Sequence, residues 1–150
     1  MDLPVRVCVA DVRGVITLLQ GTTLEITRSW DVGGKITSGP FVRGNRVGCV
    51  VDGRRLVWID PAKDRVAWEY ASAGEGIVGQ PQVIDNLVVV ADQAGSFVGL
   101  DPASGKPRGK TYTLKASVAP AAAPQPFGSN RALVSLTDGT LIILSLDRLR

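Results

Sequence analysis

The stretch "RLVWIDPAKDRVAWEY", residues 55–70, is echoed at residues 96–112 by "SFVGLDPASGKPRGKTY". A chain that repeats an apolar run, an Asp-Pro and a polar turn at such a separation is held to one class of solution. It stacks copies of a single supersecondary unit, because each copy leaves a hydrophobic face that only a neighbouring copy can cover. Four segments align under the pattern: "CVADVRGVITLLQGTT", "CVVDGRRLVWIDPAKD", "VVADQAGSFVGLDPASG" and "SLTDGTLIILSLDRLR". Each reads as an apolar strand, an Asp-headed turn and a second apolar strand. Asp11, Asp52, Asp92 and Asp138 head the turns at spacings of 41, 40 and 46 residues, and Asp60, Asp101 and Asp147 close the second strand in three of the four. The simplest role for all seven carboxylates is structural, accepting hydrogen bonds from backbone N–H groups within the turns.

The apolar segments are short, rich in Val, Ile and Leu, and bounded by Gly, Pro, Asp and Asn, and no window sustains a helical spacing. The chain is therefore all-β, and the period is that of propeller blades of four antiparallel strands. In the third unit the expected strands are "PQVID", "NLVVVAD", "SFVGLD" and "RGKTYTL". The whole chain is read as one repeat domain with units at approximately 1–35, 36–75, 76–116 and 117–150. The Pro- and Ala-rich "ASVAPAAAPQPFGSN" before the last unit is read as a lengthened connection plus an irregular inner strand. The first unit lacks its innermost strand and the last its outermost, which predicts strand counts of three, four, four and three. Propellers close with about four to eight blades. Such a chain is a partial propeller, an unusual four-unit ring, or half of an oligomeric ring completed by a second copy. Open blade edges then call for a partner, either another protein or a second copy of the chain.

Composition narrows the function classes. The net charge of +3 is mild, and only 5% of the residues are aromatic. A nucleic-acid surface would need a basic stripe interleaved with exposed rings. The local cluster Arg43, Arg46, Arg54 and Arg55 brackets one strand and reads as solvated turn charge. "LVVVA" and "LIILSL" fall far short of the ~20 apolar residues of a membrane helix, and no signal-peptide pattern opens the sequence. No nucleic acid and no membrane is expected. With Met1 as a true start the chain would be cytoplasmic; "MDLPVRVCVAD" enters a strand at once, as a fragment of a longer protein would.

Candidate chemistry is sparse. "GEGIVG", Gly74 to Gly79, fits the dinucleotide pattern, but that motif works only where the last glycine opens a helix, and "QPQVID" follows instead. Cys8 and Cys49 each stand three residues before a turn Asp, so they are read as equivalent sites in neighbouring blades, reduced and buried as small apolar fillers. With no histidine in the chain, the commonest general base and metal ligand are both missing. Glu25, Glu69 and Glu75 form no evident acid–base pair. No catalytic, cofactor-binding or metal-binding residue is assigned.

"DGRRLVWIDPAKDRVAWEY" resembles the quinoprotein-type, or PQQ-like, β-propeller repeat: an Asp-Gly turn, an apolar strand, an Asp, a turn and then a Trp. Asp60 and Trp68 fit; "LDPASGKPRGKTY" fits until Gly109 stands where the Trp would be; Trp30, ten residues after Gln20, is a looser match. The resemblance spans essentially the whole chain and implies that Trp68 and Trp30 dock one blade against the next; Trp58, in an inter-turn strand, reads as core. A WD-repeat reading draws on "RSWD" but lacks its Gly-His signature. The quinone-binding members of the family use adjacent cysteines and a calcium site, and this sequence shows neither, so no cofactor is expected. The resulting reading is a non-enzymatic module that binds protein partners or scaffolds an assembly. The alternative is the C-terminal half of a quinoprotein dehydrogenase-like propeller whose active site needs upstream sequence.

Overall fold

A computed structural model describes residues 6–115 and 118–150. The chain divides into two compact units, Met1–Glu69 and Tyr70–Arg150. Every sheet in both is antiparallel.

The first unit begins with a three-stranded sheet of β1 (Arg6–Ala10), β2 (Val15–Gln20) and β3 (Ile26–Asp31), hydrogen-bonded in that order. A four-stranded sheet follows: β4 (Ile36–Arg43), β5 (Arg46–Val51), β6 (Arg55–Asp60) and β7 (Arg65–Ala71). Successive strand residues point to opposite faces. Ile16, Leu18 and Trp30 from one face of the first sheet therefore meet Val47, Cys49, Val51, Val57 and Ile59 from one face of the second, forming a single apolar core. After Arg46 and Arg55, the residues of β5 and β6 are buried on both faces. Their near-continuous apolar sequence follows from that, since a central strand has no wet side.

The second unit repeats the plan. Its four-stranded sheet comprises β8 (Gln82–Ile84), β9 (Leu87–Ala91), β10 (Ser96–Leu100) and β11 (Tyr112–Thr113). The last sheet has β12 (Gln125–Pro126), β13 (Arg131–Ser135) and β14 (Leu141–Ser145), and the chain then turns into a short 3₁₀ segment, Leu146–Leu149. Leu87, Val89, Ala91 and Phe97 of one sheet pack on Ala132, Val134, Leu136 and Leu144 of the other, closed off by Leu146 and Leu149. The strand counts are thus three, four, four and three among the described residues. The start of the first unit, residues 1–5, and the boundary at 116–117 lie outside the described residues.

Two expectations change. The outer strand read from "RGKTYTL" is only Tyr112–Thr113, preceded by an isolated bridge between Leu100 and Pro107. Proline gives no donor to a ladder, and the chain at Gly109 lies so close to the Arg150 backbone that a Cβ there would overlap it.

The second change concerns register. Hairpin hydrogen bonds pair Asp11 N–H with the Val15 carbonyl at 2.9 Å, Asp92 with Ser96 at 2.9 Å and Leu136 with Thr140 at 2.9 Å. The return bonds run from Gly14 to Asp11, Arg54 to Val51, Gly95 to Asp92 and Gly139 to Leu136. The residues heading the turns are therefore Asp11, Val51, Asp92 and Leu136. Asp52 stands one place beyond the head and Asp138 two. The next position repeats as well: the N–H groups of Asp52, Gln93 and Thr137 donate to the carbonyls of Lys35, Gly76 and Ala119 at 2.8, 2.8 and 2.9 Å. Asp52 and Gly53, at φ of 51° and 71°, form the left-handed pair of a tight hairpin, a conformation that Asp tolerates and Gly prefers. An Asp serves equally at a turn's head or inside it, so equal Asp spacing does not fix register. In the last sheet Ser145 takes the closing position held by Asp60 and Asp101, and Asp147 falls in the 3₁₀ segment.

The shift also separates the cysteines. A one-residue offset flips a side chain to the other face of its sheet. Cys8 is three residues before its turn head and Cys49 two, so they are not equivalent: Cys8 is aligned with Gly48. Both are free thiols, and both enter the one core shared by the first two sheets.

Candidate functional site

Most of these carboxylates act on their own turns, and Asp52 reaches across to the start of the neighbouring strand. Asp11 accepts from the backbone N–H groups of Arg13 and Val15 at 2.9 and 3.0 Å and is gripped by the Arg13 side chain at 3.0 Å. The Val15 N–H foremost, with Arg13, lowers its pKa. Asp92 is buried; it accepts from Ala94 and Ser96 N–H, both at 3.0 Å, and from Ser72 Oγ at 3.4 Å. Asp52 accepts from Lys35 N–H at 2.9 Å, and Asp138 from Thr140 N–H and Oγ at 2.9 and 2.7 Å. Asp60 accepts from Ala62 and Lys63 N–H at 3.1 and 3.3 Å and faces Arg46 at 3.7 Å. Asp101 is held by Arg108 Nε at 2.9 Å together with Ala103 and Ser104, and its pKa falls to about 2, the Arg108 hydrogen bond being the main cause. Asp147 is 3.5 Å from Ser145 Oγ and 3.9 Å from Arg150.

Trp30 donates its Nε1–H to Asp64 at 3.1 Å, joining the first sheet to the second, where Arg28 also reaches Asp64 at 2.7 Å. Trp68 stacks on Trp58 within its own sheet, ring centroids 5.2 Å apart and planes 5° from parallel. Of the basic cluster, Arg43 lies over the Phe41 ring, Arg46 faces Asp60, and Arg55 pairs with Glu69 at 2.9 Å while donating to the Val32 and Gly33 carbonyls. These guanidiniums are engaged one by one and do not converge.

"GEGIVG" opens no helix. Ile77 bridges Asp92, and Gly74 lies flush against the Asp92 carboxylate, where a Cβ would overlap it. Beside them is a cavity of about 260 Å³ lined by Tyr70, Ser72, Asp92, Phe97 and Thr111. Its carboxylate is already occupied by three donors. Among the described residues no group of three or more His, Cys, Asp or Glu is placed to hold a metal, and no helix is long and apolar enough to cross a membrane.

What stands out is on the outer faces of the two three-stranded sheets. With the turn heads aligned, Val7 of β1 matches Val47, Val88 and Ala132, and Val9 matches Cys49, Val90 and Val134. Those six counterparts are at most 4% exposed, whereas Val7 is 38% and Val9 46% exposed. In β14, Leu141 matches Ile16, Leu56 and Phe97, and Ile143 matches Leu18 and Trp58. The counterparts are at most 6% exposed; Leu141 is 65% and Ile143 54% exposed. Neighbours extend each patch: Val7 lies opposite Leu19, and Leu19 opposite the exposed Ile26; Ile143 lies opposite Leu133. Positions that are core elsewhere in the molecule are here in water. Sequence reasoning named open edges but not these residues; only the corrected register picks them out.

Comparison with known proteins fits this plan. Residues 6–147 match the sequence family described as outer membrane protein assembly factor BamB. No curated protein sequence matches. Among solved structures, BamB from Moraxella catarrhalis is similar with a TM-score of 0.75 at 18% identity, over 92% of this chain and 42% of that one. The computationally designed Ika4 protein gives 0.71 at 17% identity, over 93% of this chain and 84% of that one. The designed Ika8 protein gives 0.68 at 17% identity, over 89% of this chain and 41% of that one. At these identities the likeness is one of fold, and the chain spans less than half the length of the BamB structure it matches.

Proposed function

The chain belongs to the family of the outer membrane protein assembly factor BamB, and from that premise we propose that it is a non-enzymatic β-propeller module that binds protein and scaffolds an assembly. Its fold, four antiparallel sheets of the PQQ-like propeller type, is compatible with such a role and dictates no reaction. The observation that carries the reading is the exposure of Val7, Val9, Leu141 and Ile143 at positions buried in the other sheets. Burying an aliphatic side chain of this size contributes about 1.5–3 kcal/mol, so these faces favour a protein surface over water. Trp30 and the turn carboxylates stiffen the sheets that present them, and a rigid platform lowers the ordering cost of binding.

The experiment sets this against a dehydrogenase-like half-propeller. Purified protein is melted with and without calcium and the quinone. The expected result is an unchanged melting temperature and no bound chromophore. A saturable upward shift accompanied by quinone absorbance on the protein overturns the proposal.

A further inference from the structure

We infer that the partner of these two faces is a second copy of the same chain, docked head to tail: the outer face of the last sheet in one copy on the outer face of the first sheet in the other. The inference rests on the protein-binding reading above and assigns its occupant.

The junction inside each unit sets the rule. In each, a sheet offers the face carrying the residues one and three places before its turn head. Cys8 and Ala10 do this in the first unit, and Val89 and Ala91 in the second. The following sheet receives it with the face carrying the residues two and four places before its own head. These are Val47 and Cys49 in the first unit, and Ala132 and Val134 in the second. The second faces of the two four-stranded sheets are buried, so the apolar faces left exposed are one of each kind. β1 exposes a receiving face, Val7 and Val9; the last sheet exposes an offering face, Leu133 with Leu141 and Ile143. Placing the second on the first repeats a junction the chain already builds twice. Pairing like with like would not.

Head-to-tail contacts either close into a ring or run on as a filament. This chain accounts for 42% of the BamB chain and 41% of the Ika8 chain. Two copies therefore supply nearly the length of one such chain, and the assembly closes at two.

Sedimentation equilibrium of the purified chain at micromolar concentration tests this. The mass expected is twice 15.8 kDa. Val9→Lys and Ile143→Lys, each at an exposed position, are expected to give the single-chain mass with an unchanged circular dichroism spectrum. An equimolar mixture of the two variants, at raised concentration, regains a two-chain species, because the intact last sheet of one meets the intact first sheet of the other. In like-with-like pairing at least one of the variants alone would still dimerise, through its untouched face. A single-chain mass for the unmodified protein, or a dimer that persists in either variant alone, overturns the inference. Either result leaves the protein-binding reading standing, whereas a quinone-dependent melting shift overturns that reading and does not touch the junction.

Discussion

The indole of Trp68 lies against that of Trp58 with centroids 5.2 Å apart and planes 5° from parallel, tying β7 to β6 on one face of the second sheet. Phe41 tilts against Trp58 with centroids 5.8 Å apart, so β4, β6 and β7 share one aromatic cluster. Both indoles are buried. Removing one leaves a cavity lined by the others, and Trp→Ala changes of this kind cost about 3–5 kcal/mol. Trp68→Ala is expected to lose that much in urea unfolding followed by circular dichroism, and Trp68→Phe clearly less, since a smaller ring keeps part of the stack.

Asp101 gives a pH signature. Its carboxyl is held at about 2, below the ordinary 3.8, mainly by the Arg108 hydrogen bond. A carboxylate whose folded pKa is depressed contributes stability above its unfolded pKa and loses it as pH falls through the folded value. The melting-temperature difference between the wild type and Asp101→Asn should be constant above pH 3.8 and shrink as pH falls toward about 2. A difference that does not vary with pH would mean that the Arg108 pairing does not bias the titration.

How much of this was legible in the sequence depends on what each residue answers to. The β-branched runs "RVGCVV", "RLVWID" and "LVVVA" became β5, β6 and β9 because a strand covered on both faces needs little beyond apolar side chains, and that is written locally. Turn register was not legible. Asp52 and Asp92 look alike in sequence, yet one occupies a left-handed position inside its turn and the other caps N–H groups from the turn's head. The candidate interaction faces were least legible of all. Val9 and Val90 sit at the same structural position with the same side chain, yet one is 46% and the other 2% exposed, a difference that no local sequence pattern encodes.

The corrected cysteine placement has a chemical consequence. Burial, above all, pushes the Cys49 thiol up to about 12, and the neighbouring Cys8 and Glu69 add to the rise while Arg55 opposes it. The half-buried Cys8 is also raised, by burial alone. The thiolate is the reactive form. A disulfide reagent at mildly alkaline pH should therefore modify Cys8 slowly and Cys49 hardly at all, and both promptly in guanidinium. Because the folded thiol resists ionisation, stability is fully retained below the ordinary pKa of 9 and declines as pH rises from there toward about 12. Cys49→Ala removes part of that decline.

Asp92 and Asp138 provide a matched test of what a turn carboxylate contributes. Asp92 is buried, with Oδ1 accepting from Ala94 and Ser96 N–H and Gly74 pressed against the carboxylate. Asp138 is exposed and serves only Thr140. Truncating Asp92 to Ala leaves two part-buried N–H groups without their acceptor, and losing such a hydrogen bond costs about 0.5–1.5 kcal/mol, more where water cannot replace it. Asp92→Asn keeps an oxygen for those donors and should cost less than Asp92→Ala. At Asp138, water replaces the lost acceptor, and Asp138→Ala should stay within about 0.5 kcal/mol of wild type, as surface changes generally do. Chemical denaturation of the three variants measures the order directly: Asp92→Ala least stable, Asp92→Asn intermediate, Asp138→Ala near wild type. Equal losses at Asp92 and Asp138 would show that burial of the turn head, rather than its hydrogen bonding, had been overvalued.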